Sequence, residues 1–436
     1  MLIGAVFIKK QLPEYTMKIV ILGAGLSGMA AAKSLAEHKS NEITILEKAP
    51  YAGGLASSFH MEGEEIPKFY HHIVRSNKFT IAELERFGLM KDADWKKIKV
   101  SIGIKNKVYN IQNPFELLKL PGASLWAKFR FGLFGLYTLF IMNPNNIPDE
   151  MNAKDWLYKF CGKEATDFFW WNLYGRNKFN IPLDQIAAKQ FAHRLWEKEV
   201  YDDFTFPKKG LQLMVDGMEK ELVEKGVNIR LKQKIIGINL TNKTVSLETG
   251  EKIKYDVLIN SIPVPEFLKV QKGLPEDYKA NLEKLRYCPA VGMCFATKEF
   301  LKPGVYWINL FGERIQVIMQ HSVLIDKYKN KVSWLIRYGG AAEDLGKSDE
   351  EIRKLYLADI KKYFPTAEIV WDKVFKEKYA EPVYDKDYVK YAPTYTTPVD
   401  SLYMTGIQVT FPKIRNQNVA LESGYKVAEI IKARLP

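Results

Sequence analysis

An α/β fold built on a nucleotide-binding unit, interrupted by a second, mixed α+β domain, is predicted by three features of this chain. A glycine turn near Lys18 sits between strand-like and helix-like patterns. A run of short strands with polar turns occupies 226–260, and a further strand, loop and amphipathic helix follow from Ser401.

From Lys18 the sequence reads KIVIL, GAGLSG, MAAAKSLAEH and NEITILEK, which is strand, turn, helix and strand within about thirty residues. Ile19–Leu22 and Ile43–Leu46 are unbroken apolar runs, the pattern of parallel strands covered on both faces. Leu26, Met29, Ala30 and Leu35 share one helical face. Gly23-Ala24-Gly25-Leu26-Ser27-Gly28 matches G-x-G-x-x-G. In such a turn Gly23 permits the tight bend, Gly25 lets the backbone approach a pyrophosphate, and Gly28 lets helix and strand pack closely. The helix start offers unpaired N–H groups and partial positive charge. Glu47 closes the second strand, placed to accept hydrogen bonds from a ribose diol. Together these make a Rossmann-type unit. Gly53-Gly54 follows in E-K-A-P-Y-A-G-G-L-A-S-S-F and gives a second close backbone approach beside the same crevice, which favours FAD over NAD. Mid-chain there is no second G-x-G-x-x-G, so a built-in NAD(P)H domain is not expected.

After Trp95 the texture changes to short alternating stretches such as KVYNI, then to an apolar segment, Leu125–Ile141, and aromatic-rich helices up to about Lys198. The 226–260 strands turn at Thr241-Asn242 and Thr249-Gly250-Glu251 and end in the buried-looking Val257–Ile259. Aromatic strands are expected around Val305–Asn309, Ile315–Met319 and Val332–Tyr338, with Tyr306, Trp307 and His321 on strands that wall the second domain. Met1–Ile8 is too short to span a membrane and precedes Lys9-Lys10, so 1–16 reads as an N-terminal extension.

At 436 residues the chain has room for two or three domains with cores that need no staple. Cys161, Cys288 and Cys294 show no C-x-x-C and no Cys/His ligand spacing, which argues against a disulfide framework, a zinc site and a dithiol redox centre and points to a reducing compartment; no metal is expected. The net charge of +13 favours anionic partners. Its lysines are scattered, with no basic run or nucleic-acid-binding signature, so no nucleic-acid partner is expected.

The span from Lys18 to about Phe59 resembles the superfamily of flavin-containing amine oxidases, protoporphyrinogen oxidases and phytoene desaturases, whose cofactor motif runs from the glycine turn through the acid to a Gly-Gly pair. Pro207-Lys208-Lys209-Gly210-Leu211-Gln212 resembles the segment leading into the family's flavin-domain helix, and Asp256–Pro263 the strand that returns to that domain. Leu402–Gly406 and Asn418–Gly424 resemble its terminal flavin-contacting strand and helix. The resemblance implies a glutathione-reductase-like FAD-binding domain of amine oxidase type at 17–100, 207–268 and 397–436. A mixed α+β substrate domain would take 101–206 and 269–396, with the pocket between them. It implies Gly23, Gly25 and Gly28 at the pyrophosphate, Glu47 at the adenosine ribose, and Gly54 with Leu55 on the flavin side. Ile235 would offer its backbone to the adenine, and Gly406 with Val419 would lie near the phosphates and isoalloxazine; Leu26, Ser27, Lys48, Gly53, Ser261 and Asn418 are the further candidate cofactor-binding residues. Lys48 and Leu55 depart from many amine oxidases, which have an arginine after the Gly-Gly pair; this weighs against amine oxidation as such and not against FAD.

In such an enzyme the flavin carries the redox chemistry and the protein positions a substrate bond against it. His71 and His72, in Phe69-Tyr70-His71-His72, are candidate proton carriers beside the ring. Arg176, in Trp170-Trp171-Asn172-Leu173-Tyr174-Gly175-Arg176, suits a ligand with an apolar or sugar ring and an anionic group. Core packing is the default for the tryptophans, and a surface ion pair for Arg337 and Arg415. Leu125–Ile141 is a candidate for peripheral membrane contact. The expected function is an FAD-dependent oxidoreductase acting by hydride transfer on a small, isoprenoid-like or porphyrin-like substrate, with oxygen or a quinone as electron acceptor. The expected location is cytoplasmic or peripheral on the inner membrane surface. The competing readings are a flavin-dependent sugar-nucleotide mutase resembling UDP-galactopyranose mutase, and a flavin-fold binding module without catalysis.

Overall fold

The computed structural model describes residues 16–179, 181–198 and 201–434, so all but Thr16 of the expected N-terminal extension lies outside the described residues. Five parallel strands form the central sheet: β1 (Lys18–Leu22), β2 (Glu42–Leu46), β3 (Asn228–Arg230), β4 (Val257–Asn260) and β5 (Leu402–Met404), in the order β3-β2-β1-β4-β5. The period-2 alternation of a strand sorts the apolar runs between two layers. Ile19, Ile21, Ile43 and Ile45 face one cluster with Met29 and Ala30 of helix α1 (Leu26–Leu35), while Val20, Leu22, Leu46 and Leu258 face another with Val245, Leu247 and Phe267. That second layer is a meander, Ile235–Asn239, Thr244–Leu247 and Lys252–Lys254, joined by Gln271–Lys272. The chain steps outward from β1 through β2 to β3 and then crosses back to β4. The carboxyl ends of β1 and β4 therefore flank the switch point where open α/β sheets bind ligands.

Three helices brace that edge: α1, α2 (Lys78–Arg86) and, after the long helix α3 (Leu125–Phe140) of the other lobe, α4 (Gln417–Lys432). α1 and α4 approach so closely that a Cβ on Gly424 would lie 2.2 Å from the Ser27 carbonyl oxygen. The buried Glu83 carboxylate accepts hydrogen bonds from Lys33 at 2.6 Å, Arg86 at 2.7 Å and the Tyr425 hydroxyl at 2.5 Å, tying all three helices together.

The second large sheet has seven strands, in the order 369–382, 287–297, 331–337, 317–319, 307–310, 100–104 and 107–110. Its pairings are antiparallel except that of 307–310 with 100–104. His321 departs from expectation, lying in a 3-10 turn, His321–Val323, after the strand Val317–Met319. A helical lobe spanning 114–196 contains α3 and the segment Thr166–Phe179, which winds as a π-helix. Among the described residues no helix is long and apolar enough to cross a membrane.

Candidate functional site

Two glycine loops meet at the carboxyl edge of β1. Gly23, at φ +96°, donates its N–H to Leu46 O at 2.8 Å, and Gly53, at φ +102°, donates to Ala24 O at 2.8 Å. A β-bridge joins Gly25 to Gly53, and a Cβ on Gly54 would stand 3.4 Å from Gly25 Cα. The three motif glycines serve different ends. On Gly28 a Cβ would lie 2.2 Å from Gly23 O, so glycine there permits packing; on Gly25 a Cβ would meet no atom within 4 Å. The open space at Gly25 lies at the start of α1, which has neither a side-chain cap nor an acid in its first turn. An uncapped helix start facing open space fits the pyrophosphate of a dinucleotide.

The Glu47 carboxylate is held at the end of β2 by two backbone donors, Ala24 N at 2.9 Å and Ala49 N at 2.8 Å. Each oxygen keeps a lone pair for a ribose hydroxyl. Lys48 is exposed beside it, and Ile235 begins the first strand of the meander. The Ser261 hydroxyl donates to Leu22 O at 2.6 Å and so closes the turn at β1. Ser27 is buried, its hydroxyl 2.9 Å from Thr405 Oγ1 and 3.0 Å from Ser423 Oγ; the latter oxygen also accepts the Gly406 N–H at 3.0 Å. Leu26 is likewise buried in the core. The Ser27 hydroxyl therefore joins α1 to Thr405, just after β5, and to α4.

At α4 the side chains differ from expectation. Asn418 Oδ1 accepts the Phe79 and Thr80 N–H groups at 2.8 and 3.2 Å, capping α2 instead of facing a cofactor. Val419 donates its N–H to Asn416 Oδ1 at 3.0 Å. Gln417, which sequence reasoning missed, donates to the carbonyl of His72 at 3.2 Å. It thereby ties the start of α4 to the histidine pair.

His71 and His72 stand between the two lobes. His71 Nε2 donates to Leu55 O at 3.0 Å, since a carbonyl can only accept; burial, ahead of other causes, lowers its pKa and favours the neutral ring. His72 Nδ1 is 3.2 Å from the Tyr306 hydroxyl, and its ring packs against Phe204 at 4.8 Å, Tyr70 at 5.8 Å and Trp307 at 6.0 Å. Tyr70 in turn is 3.2 Å from the Tyr338 hydroxyl and accepts a hydrogen bond from Lys178 at 3.0 Å. Lys178 is a second residue the sequence concealed. Leu55 O, His71, His72, Tyr70 and Lys178 thus form one continuous wall from the glycine loops into the second lobe.

Arg176 lies on the same π-helix. Its carbonyl crowds Gly339, where a Cβ would come within 2.0 Å, and its half-buried guanidinium makes no ion pair among the described residues. Burial lowers its pKa, with Glu313 opposing and Arg337 adding to the shift. Trp170 belongs to the core of the helical lobe, against Phe131 at 5.1 Å and Phe134 at 5.5 Å. Arg337 and Arg415 do form ion pairs, but both guanidiniums are buried where surface pairs were expected: Arg337 meets the buried Asp344 at 2.6 Å and the exposed Glu343 at 2.7 Å, and Arg415 meets Glu381 at 3.0 Å. All three cysteines are free and buried, and burial raises the thiols of Cys161 and Cys288 to about 11 and about 12. These thiols are poor nucleophiles. No cluster of three or more metal-ligating side chains occurs among the described residues.

Comparison with known proteins agrees with this geometry. Residues 26–432 match the family model described as flavin containing amine oxidoreductase. The chain is 22% identical to the 15-cis-phytoene desaturase of Glycine max, over 81% of this chain and 67% of the desaturase. It is also 22% identical to that of Narcissus pseudonarcissus, over 98% and 82%. Reduced UDP-galactopyranose mutase superposes with a TM-score of 0.75 at 16% identity, covering 96% of each chain. At that identity the superposition establishes the shared fold.

Proposed function

The chain belongs to the family of flavin containing amine oxidoreductases, and from that membership we propose an FAD-dependent enzyme that takes a hydride from a C–H or C–N bond of a small substrate with apolar or anionic groups. The observation that carries FAD is the cradle: an uncapped α1 with open space at Gly25, beside a Glu47 carboxylate with lone pairs to spare. A dinucleotide needs both features, a diphosphate site and a ribose acceptor. Bound flavin supplies the two-electron acceptor. The chain's own residues do the rest. The start of α1 would hold the pyrophosphate, and Glu47 would orient the ribose. His71, favoured in its neutral form by burial, is held on the wall by the Nε2–H bond to Leu55 O. Tyr70, Trp307 and Tyr338 exclude water with their rings. The proposed final electron acceptor is oxygen or a quinone.

The test is an absorbance spectrum of the purified protein, identification of the flavin released on denaturation, then anaerobic reduction and exposure to air. FAD that reoxidises in air or with a quinone supports the reading. Absence of any flavin after reconstitution overturns it. Turnover of a UDP-sugar without consumption of electrons would replace it with mutase chemistry, for which the shared fold with the UDP-galactopyranose mutase is the ground.

α3 supports a peripheral membrane partner. Leu125, Trp126, Phe129, Leu133, Leu136 and Phe140 are all exposed along one stripe of this helix, with Phe115 and Leu118 exposed nearby. Sixteen residues rise about 24 Å, less than the ~30 Å hydrocarbon core, so such a helix lies in the interface and does not span. Its two charges do not face outward: Lys128 is buried and donates to Leu118 O at 2.8 Å, and Arg130 donates to Cys161 O at 2.8 Å. Each caps the end of a neighbouring helix, which leaves the stripe uncharged. With three free cysteines and a +13 charge suited to anionic lipid, the proposed location is the cytoplasmic face of the inner membrane.

A further inference from the structure

We propose that Lys178 anchors a carboxylate of the substrate. This deepens the oxidoreductase reading and rests on it for the position of the reacting bond. The Lys178 side chain is only 4% exposed, yet among the described residues no carboxylate pairs with it. Its ammonium has three N–H groups, and one reaches the Tyr70 hydroxyl at 3.0 Å. Three aromatic rings face it: the Tyr338 ring centroid lies at 4.7 Å, Tyr70 at 5.7 Å and Trp307 at 6.0 Å. Aromatic faces stabilise a cation but do not neutralise it. A desolvated ammonium without a counter-charge is costly, which is why buried lysines are normally paired.

The nearby charges do not supply the missing partner. Glu381 acts on Tyr338 electrostatically but is engaged by Arg415 at 3.0 Å, and Asp344 and Glu343 are taken by Arg337. The unmet charge is therefore a single positive one inside an aromatic basket. A carboxylate brings the sum to zero, whereas a dianionic phosphate would leave an excess buried negative charge. The basket also shares Trp307 and Tyr70 with His72, whose neighbour His71 is fixed to the flavin-side Leu55 carbonyl. A substrate carboxylate at Lys178 would place the apolar body of the molecule along the histidine wall, toward the glycine loops.

Benzoate and its uncharged isostere benzamide distinguish this site from a structural lysine. Each is titrated into the purified full-length protein, followed by the shift in melting temperature and, in flavin-loaded protein, by the change in flavin absorbance. Benzoate is expected to bind at least about tenfold more tightly than benzamide, a modest return for pairing a buried charge. Lys178→Met should erase that preference while the protein keeps its flavin, and Lys178→Arg should retain part of it. The comparison of the two ligands needs no variant, so a misfolded substitution does not decide the matter. Equal binding of both ligands, binding of neither, or a preference that survives in Lys178→Met overturns the proposal. Because the melting shift does not depend on flavin, the two readings fail separately. Benzoate preference in protein that takes up no flavin keeps the anchor and sinks the oxidoreductase, and flavin-loaded protein without that preference does the reverse.

Discussion

A methyl group added at Gly25 meets no atom within 4 Å, whereas one added at Gly28 lies 2.2 Å from the Gly23 carbonyl. Gly25 has φ −74° and ψ 170°, open to any residue. Gly25→Ala is therefore expected to leave the stability of flavin-free protein within about 0.5 kcal/mol and to weaken flavin binding at least about tenfold by filling the pyrophosphate space. Gly28→Ala should cost about 1–3 kcal/mol with or without flavin. Urea unfolding of the apoprotein and a flavin titration separate the two, and normal flavin affinity in Gly25→Ala would remove the pyrophosphate from this place. His321 supports a second prediction. It is fully buried against Phe206 and Trp334 at 4.4 and 4.6 Å, and burial lowers its pKa to about 3. Between about pH 6.5 and 3 the unfolded chain binds a proton there that the native protein does not. Stability thus falls with acidification by about 1.4 kcal/mol per pH unit, or about 2 kcal/mol at pH 5 relative to neutrality. His321→Phe should flatten that limb, read as urea midpoints at pH 7.5 and 5, and an unchanged slope would assign the acid sensitivity elsewhere. At this scale the glycines and Glu47 were legible because their spacing has a mechanical meaning. Asn418, Arg337 and Arg415 were not, since an amide or guanidinium carries no sign of the partner that folding brings to it.

Three helices converge on one carboxylate. Removing it in Glu83→Ala leaves Lys33, 15% exposed, without its carboxylate and with only the Tyr425 hydroxyl at 3.1 Å, while Arg86 keeps Glu221, at an expected cost of about 3 kcal/mol. Calorimetric melting of the variant measures this; a melting temperature equal to that of the parent would show that the helices hold together without it. The βαβ unit is readable because apolar runs, a glycine turn and a helical stripe each have a distinct period. Thr166–Phe179 is different. A π-helix is wound by i→i+5 hydrogen bonds and is rare, so neither the strand nor the α-helix period describes it. Its aromatic residues point in several directions, and Lys178 in linear sequence looks like any solvated lysine. The buried Lys178 beside the histidine wall was hidden by that unusual winding.

Across the whole molecule the exposed stripe on α3 sets a test of location. Vesicles containing anionic lipid should co-sediment the protein, and Trp126→Ser, Phe129→Ser and Leu133→Ser together should weaken this at least about tenfold. Lys128→Met should not weaken it, because that ammonium is already spent on Leu118 O; binding indifferent to the triple change would place the partner elsewhere. The interleaving of the two lobes was legible only through resemblance at 207–212, 256–263 and 402–424, since nothing in the composition of a three-residue strand says which sheet it joins. That interleaving also orders events during synthesis. The Lys18 N–H bonds Asp256 across 238 residues, and the Ser27 hydroxyl meets Ser423 across 396. Of the described elements, β5 and α4 leave the ribosome last, so a nascent chain carries both glycine loops and Glu47 early but waits to its last elements for the strand and helix that brace α1. The bracing of α1 is therefore a late event: until α4 has emerged, the Ser27 hydroxyl lacks Ser423 and Lys33 lacks the Tyr425 hydroxyl, and the helix start beside the glycine loops stands without its packing partner.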